Sequence, residues 1–188
     1  MTELSRSEVR GIWFVTARRY MQEHGFGDEW FEALAARLDQ RYKGVFLAPD
    51  SAEWYPERAL QQALGAMHAV MAEGRDDAFV DVMEECTILG INQFFRLLMR
   101  LGSPALVLRK APAMWNHIRR GAGSVAVEAN DAGAELRFTE FPYFRDPNYR
   151  LLTVGVTRAL VTVCGRPRPQ IAVTSFDWDR LTVKVTFA

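Results

Sequence analysis

Through residue 121 apolar side chains recur every three or four positions; from Ser124 onward they recur mostly every second one. That change of period constrains the fold most, because a helix-period pattern cannot lie half-buried in a sheet, nor an alternating one in a helix. Ser5 and Glu8 have capping-box spacing, and Ile12, Trp13, Thr16, Ala17, Tyr20 and Met21 follow with helical period to Gly25. A second helix is expected from Asp28 to near Gly44, carrying Trp30, Phe31, Leu34, Leu38 and Tyr42 on one face. VFLAPDSAEWYPERA reads as a loop, with Pro56 in the first turn of a third helix whose stripe is Leu60, Leu64, Met67, His68 and Met71. The stretch from Ala78 to Leu101 is apolar nearly all round, as a central buried helix would be. After Gly102-Ser103-Pro104 a helix jointed at Pro112 runs to Gly121.

The alternating part opens with SVAVEAN and AELRFTE, joined through Asp131-Ala132-Gly133 as a hairpin. The polar-aromatic FPYFRDPNYR leads into a helix of Leu151, Leu152, Val154, Val156, Leu160 and Val163, which with small Gly155 and Ala159 reads as a buried helix lying close on a sheet. A terminal hairpin follows, with Ile171 and Val173 in one strand and Leu181, Val183, Val185 and Phe187 in the other. The expected order is five helices, two strands, one helix, two strands. This is an α+β fold: a helical part, 1–121, on one face of a four-stranded antiparallel sheet, 122–188, in a single domain over 1–188.

Lysine plus arginine and aspartate plus glutamate balance at 23 each, so no long-range field recruits nucleic acid or an anionic membrane. Two cysteines are too few for a disulfide scaffold, which points to a reducing cytoplasm. MTELSRSEVRGIWF has acidic and polar residues where a secretory signal needs a basic start, and no apolar run reaches membrane-spanning length. A soluble protein is expected. The chain lacks GxxxxGK[ST], GxSxG, HExxH and paired CxxC. The glycines of GAGSVAVE precede a strand and form no dinucleotide fingerprint. With three histidines and no evident carboxylate orienter, the expectation is no enzyme.

VRGIWFVTARRYMQEHG, WYPERALQQAL and SPALVLRKAPAMWNHIRRGAG, with the hairpin SVAVEANDAGAELRF and the helix ending in VTVCG, carry a resemblance over nearly the whole chain. The order resembles the ligand-binding fold shared by 4-vinyl-reductase-type sensor domains, haem-nitric-oxide-binding domains and TRAPP trafficking subunits, and is most similar to small stand-alone bacterial relatives. The resemblance implies a dimerising domain whose helices enclose an apolar pocket against the sheet, used for sensing or scaffolding. The sequence also departs from that pattern. Haem-binding relatives follow a histidine with a proline at a set distance and a Tyr-x-Ser-x-Arg clamp; here Arg37, Asp81 and Asn130 stand at that distance after His24, His68 and His117, and the clamp is missing. Zinc-holding relatives place cysteine in the last hairpin, where this chain has Val173-Thr174-Ser175-Phe176-Asp177-Trp178. No haem, metal or other cofactor is expected.

The expected reading is a non-enzymatic ligand-binding or regulatory domain with an apolar pocket between helices and sheet, taking a small apolar ligand and forming a homodimer. The alternative is a protein–protein interaction or scaffold module whose core its own side chains fill. Candidate pocket residues are Met67, His68, Met71, Met83, Cys86, Phe94 and Trp115, since methionine and aromatic groups shape adaptable apolar walls; Phe95, Met99 and Met114 share that character. Each is equally an ordinary core residue by type. His68 either meets a ligand or is satisfied by a backbone carbonyl, and Cys86 is either an acylated or reactive thiol or a small buried hydrophobe. Glu84 and Glu85 point about a hundred degrees apart on a helix, so only one can face inward. Arg96, Arg100, Arg109, Lys110, Arg119 and Arg120 form either an anion-binding group or a solvated basic face.

Overall fold

The computed structural model describes residues 7–91, 102–165 and 168–187. Its first element is a strand, where the capping-box spacing predicts a helix. β1 (Glu8–Arg10) pairs antiparallel with β2 (Trp54–Pro56) and with β3 (Arg119–Arg120) in a small sheet of order β2-β1-β3. Val9 is fully buried between two less buried neighbours, the alternation of a strand. A Cβ on Gly11 would lie 1.8 Å from Asp50 O, so the chain can turn there into α1 (Ile12–Glu23) only with glycine.

The predicted second helix is shorter and broken. α2 (Asp28–Ala35) ends early, and a 3₁₀ turn (Gln40–Tyr42) and the short α3 (Gly44–Leu47) follow; together they still bury Leu38, Tyr42, Val45 and Phe46. Arg18 holds this corner by donating to Phe46 O, with its guanidinium 4.0 Å from the Phe31 ring centre. α4 (Glu57–Met71) follows β2 directly. α5 (Asp76–Gly90) has Asp76 and Asp77 in its first turn, ahead of the apolar stretch from Ala78; the continuation expected to Leu101 falls on 92–101, outside the described residues. The helix jointed at Pro112 is two helices, α6 (Pro104–Leu108) and α7 (Ala111–Ile118), and its expected last turn is β3 instead.

The main sheet has the order β4-β5-β7-β6 and is antiparallel throughout. It comprises β4 (Ser124–Ala129), β5 (Gly133–Thr139), β6 (Gln170–Phe176) and β7 (Leu181–Thr186). Leu136 sits opposite both Val127 and Val183, and Phe138 opposite Leu181, so Leu136, Phe138, Leu181, Val183 and Val185 form one buried face. Arg137 on the other face bridges Glu128 and Glu135 at 2.7 Å each. A 3₁₀ turn (Pro142–Arg145) leads into α8 (Pro147–Thr162). This helix starts earlier than its apolar period indicates, because Asp146 accepts from Asn148 N at 2.9 Å and Pro147 fits the first turn. α8 crosses α5 at Gly155, where an added Cβ would lie 2.6 Å from Met83 Cβ and 2.8 Å from Val80 O.

Candidate functional site

Six of the seven pocket candidates lie in the described residues, on three helices. Met67 is buried on α4, with His68 and Met71 partly buried on the same helix, while Met83 and Cys86 are buried on α5. His68 Nε2 lies 3.1 Å from Asp76 Oδ1, and its ring meets Phe79 edge-on at 5.0 Å, joining α4 to α5. Burial pushes the Cys86 thiol well above its ordinary pKa, which disfavours the thiolate that reactivity requires. Trp115, on α7, packs on Phe141 at 5.0 Å and Phe138 at 5.6 Å and donates from Nε1 to Gly123 O at 3.2 Å. Phe94, with Phe95 and Met99, lies outside the described residues.

Two clefts flank the C-terminal half of α5. One of about 390 Å³ is lined by Asp81, Glu84, Glu85, Ile88, Thr162 and Arg168. The other, about 250 Å³, is lined by Tyr20, Glu23, His24, Glu85, Ile88 and Leu89. Both are open to solvent and share Glu85 and Ile88, and none of the six candidates among the described residues lines either. The neighbouring glutamates diverge as helical geometry requires. Glu84 turns toward α8, accepting from Thr162 Oγ1 and Arg168 at 2.9 Å each, whereas exposed Glu85 accepts from Tyr20 OH at 3.0 Å and lies 3.5 Å from His24.

Among the described residues the most enclosed polar side chain has no local signal in the sequence. Glu57, in the first turn of α4, is completely buried; its Oε1 receives Arg119 Nε at 3.2 Å and Tyr149 OH at 2.9 Å. Tyr149 OH also lies 3.0 Å from Glu57 O, and the Arg119 guanidinium stands 4.4 Å from the Trp115 ring centre. These residues tie α4, β3, α7 and α8 together. Pro56 marks the helix start in the sequence, but nothing local shows that the glutamate beside it points inward. The basic group disperses: Arg119 is buried on Glu57, Arg120 pairs with Glu8, Arg109 donates to Ala129 O, Lys110 is exposed, and Arg96 and Arg100 lie outside the described residues.

Burial raises the Glu57 carboxyl against the opposing pull of Arg119 and Tyr149. Burial first and the Glu57 charge second hold Tyr149 well above its ordinary range and push Tyr143 up to about 12; burial and the hydrogen bond to Glu85 raise Tyr20 as well. The fold therefore keeps protons that the unfolded chain releases near pH 10. This contribution is fully present below about pH 10 and is lost as pH rises through the folded values. The thermal midpoint should fall steeply above about pH 10 while phenolate absorbance lags the pH. All five tyrosines ionising together near pH 10 with the fold intact would overturn this.

No family model matches the chain, and no curated protein matches it. Solved structures do match, across nearly the full length. The Fe(II) unliganded H-NOX protein from K. algicida is 13% identical with a TM-score of 0.69, covering 95% of this chain and 96% of that one. An H-NOX protein from S. oneidensis in the Fe(II)NO ligation state is 11% identical with a TM-score of 0.68, covering 95% and 99%. An oxygen-binding H-NOX domain related to soluble guanylate cyclases, in its oxygen complex, is 13% identical with a TM-score of 0.58, covering 94% and 92%. The chain thus has the H-NOX fold.

Among the described residues, the histidines, the cysteines and Tyr149 do not fit haem, whose iron takes such ligands from an enclosed pocket. His24 and His117 are exposed, His24 on Tyr20 O at 2.8 Å and His117 3.3 Å from Arg10. His68 lies against Asp76 and Phe79. The Cys164 thiol bonds Leu160 O, Cys86 is deeply buried, and Tyr149 is engaged by Glu57. Among the described residues no group of three or more His, Cys, Asp or Glu could hold a metal ion. No helix among them is long and apolar enough to cross a membrane.

Proposed function

We propose that the chain is a non-enzymatic ligand-binding or regulatory domain, a sensor-like use of the H-NOX fold without histidine-held haem. The observation that carries this is the full-length match to proteins described by their Fe(II), nitric oxide or oxygen ligation state, combined with the exposure of His24 and His117 and the engagement of His68 with Asp76 and Phe79. The ligand is a small apolar molecule taken up against Met67, His68, Met71, Met83, Cys86, Phe94 and Trp115 in one cytoplasmic domain. Kinship with 4-vinyl-reductase-type sensors and TRAPP subunits belongs to the same proposal. A second reading, an interaction module with a self-filled core, is favoured by the tight burial of Met67, Met83 and Trp115 and by the polar, open character of the two clefts.

Native followed by denaturing mass spectrometry of freshly purified protein separates the two. Extra mass that leaves on denaturation supports the ligand reading, and mass retained on Cys86 supports an acylated thiol. Bare polypeptide that also fails to take up added apolar ligands supports the module. Under the ligand reading Trp115→Ala loses retained mass more than it loses folding stability; equal losses place Trp115 in the core alone. Expression with haem supplied should yield protein without a Soret band, and a stoichiometric band would overturn the exclusion of haem.

A further inference from the structure

The four-stranded sheet leaves one long edge open. β6 is last in the order β4-β5-β7-β6, and among the described residues no strand pairs with its outer side. Every residue of β6 except Ile171 is exposed. Open edges are usually blunted by charge, proline or a covering element, since unpaired N–H and C=O groups recruit another strand. QIAVTSF has neither charge nor proline, and its one irregularity is a bulge between Val173 and Ser175. The opposite edge is better guarded: Glu128 of β4 is paired by Arg137, and Arg109 donates to Ala129 O.

On the core side of the sheet the helix layer stops short of β6. Val173 sits opposite Val183 and Phe176 opposite Leu181; the β7 partners are fully buried, yet Val173 and Phe176 are 36% and 60% exposed. Trp178, in the following turn, is 57% exposed, and the Arg150 guanidinium stands 4.2 Å from the Phe176 ring centre. Large aromatics with an arginine have the composition of interface anchors.

From this geometry we propose that β6 is a homodimer contact. Its outer edge pairs antiparallel with β6 of a second copy about a two-fold axis, the two four-stranded sheets become one, and each copy covers the partner's Phe176 and Trp178. Charge selects a second copy as the occupant. An antiparallel pair of identical strands sets each residue against the partner's image of the same segment, so any charge near the axis would meet its like. A strand neutral throughout, in a chain of zero formal net charge, carries no such repulsion. Phenylalanine and tryptophan each bury roughly 150–250 Å², and a standard interface takes about 800 Å² per partner. Two aromatics with a seven-residue strand are of that scale. The contact stands whether or not the interior holds a ligand.

Sedimentation of the full chain should give about twice its 21.4 kDa mass at tens of micromolar. Val173→Lys and Phe176→Glu should each give monomers with unchanged circular dichroism and thermal midpoint. Cys86 and Cys164 are buried, so single cysteines placed along Gln170–Phe176 can be oxidised selectively. The intermolecular disulfide yield should peak at the one position nearest the axis and be absent for Leu106→Cys on α6. A monomeric wild-type chain, or a dimer that survives both charged substitutions without a disulfide peak on β6, would overturn the proposal. Sheet continuation onto a foreign strand would show as monomers that bind an extended peptide along β6, and would overturn it too.

Discussion

Arg119→Met should lower folding stability by about 3–5 kcal/mol, because it leaves the fully buried Glu57 carboxylate without its cation. Tyr149 OH remains as one donor to Oε1, which is too little to replace a guanidinium. The loss should depend on pH with a definite sign. Removing Arg119 raises a carboxyl that burial has already raised, so the folded state takes up a proton more readily than the unfolded chain. The deficit relative to wild type should therefore shrink as pH falls from 8 toward roughly 5 and grow as pH rises. Adding Glu57→Leu should recover most of the loss, since an apolar pair in place of a buried ion pair is often neutral or stabilising. Tyr149 OH would still reach the backbone carbonyl of residue 57. Urea unfolding of the two single variants and the double variant gives the coupling; additive losses would show that Glu57 and Arg119 do not act as a pair.

Gly155→Val should cost about 3 kcal/mol or more. At this crossing a Cβ would stand 2.6 Å from Met83 Cβ, 2.8 Å from Val80 O and 3.1 Å from Glu84 N. Two of the three neighbours are backbone atoms of α5, so no rotamer change relieves the clash and the helices must separate. Separation would also strain the Glu84 contacts to Thr162 and Arg168 across the same pair of helices. Gly155→Ala should show a smaller loss of the same kind, and Met83→Ala added to it should return none of that loss, because the clashing Cβ of residue 83 and the Val80 carbonyl stay in place. A Gly155→Val chain as stable as wild type would mean that α5 and α8 do not cross this closely.

Much of the architecture was legible because it rests on period. Leu136 and Phe138, and Leu181, Val183 and Val185, alternate strictly with polar residues, and the sheet buries them all on one face. α4 likewise follows its apolar stripe, whereas α8 buries Tyr149, Thr153, Thr157 and Val161 beside Leu152 and Leu160, and small Gly155, expected against a sheet, packs on α5 instead. The failures cluster where a short segment takes its structure from a distant one. Ser5 and Glu8 have helix-start spacing, yet the chain from Glu8 to Arg10 is a strand because Trp54–Pro56 and Arg119–Arg120 lie on either side of it. Leu38, Tyr42 and Phe46 were read on one side as helix and on the other as loop; their burial is shared by a turn and a short helix, held partly by Arg18.

The candidate site divides in the same way. Residue type alone nominated methionines, a cysteine and a tryptophan; it could not tell a pocket wall from a core, because both need the same side chains. Sequence did determine the α+β order, the one-sided sheet, the divergence of Glu84 from Glu85, and a histidine spacing that departs from haem-binding relatives. Only the tertiary structure decided that Glu57, Arg119 and Tyr149 meet in the interior, that Arg119 leaves the solvated basic face for it, and that β6 runs uncharged along an uncovered edge. The physical reason is range. Period and capping act over a few residues, whereas a buried charge is defined by partners brought from β3 and α8, 62 and 92 residues away from Glu57.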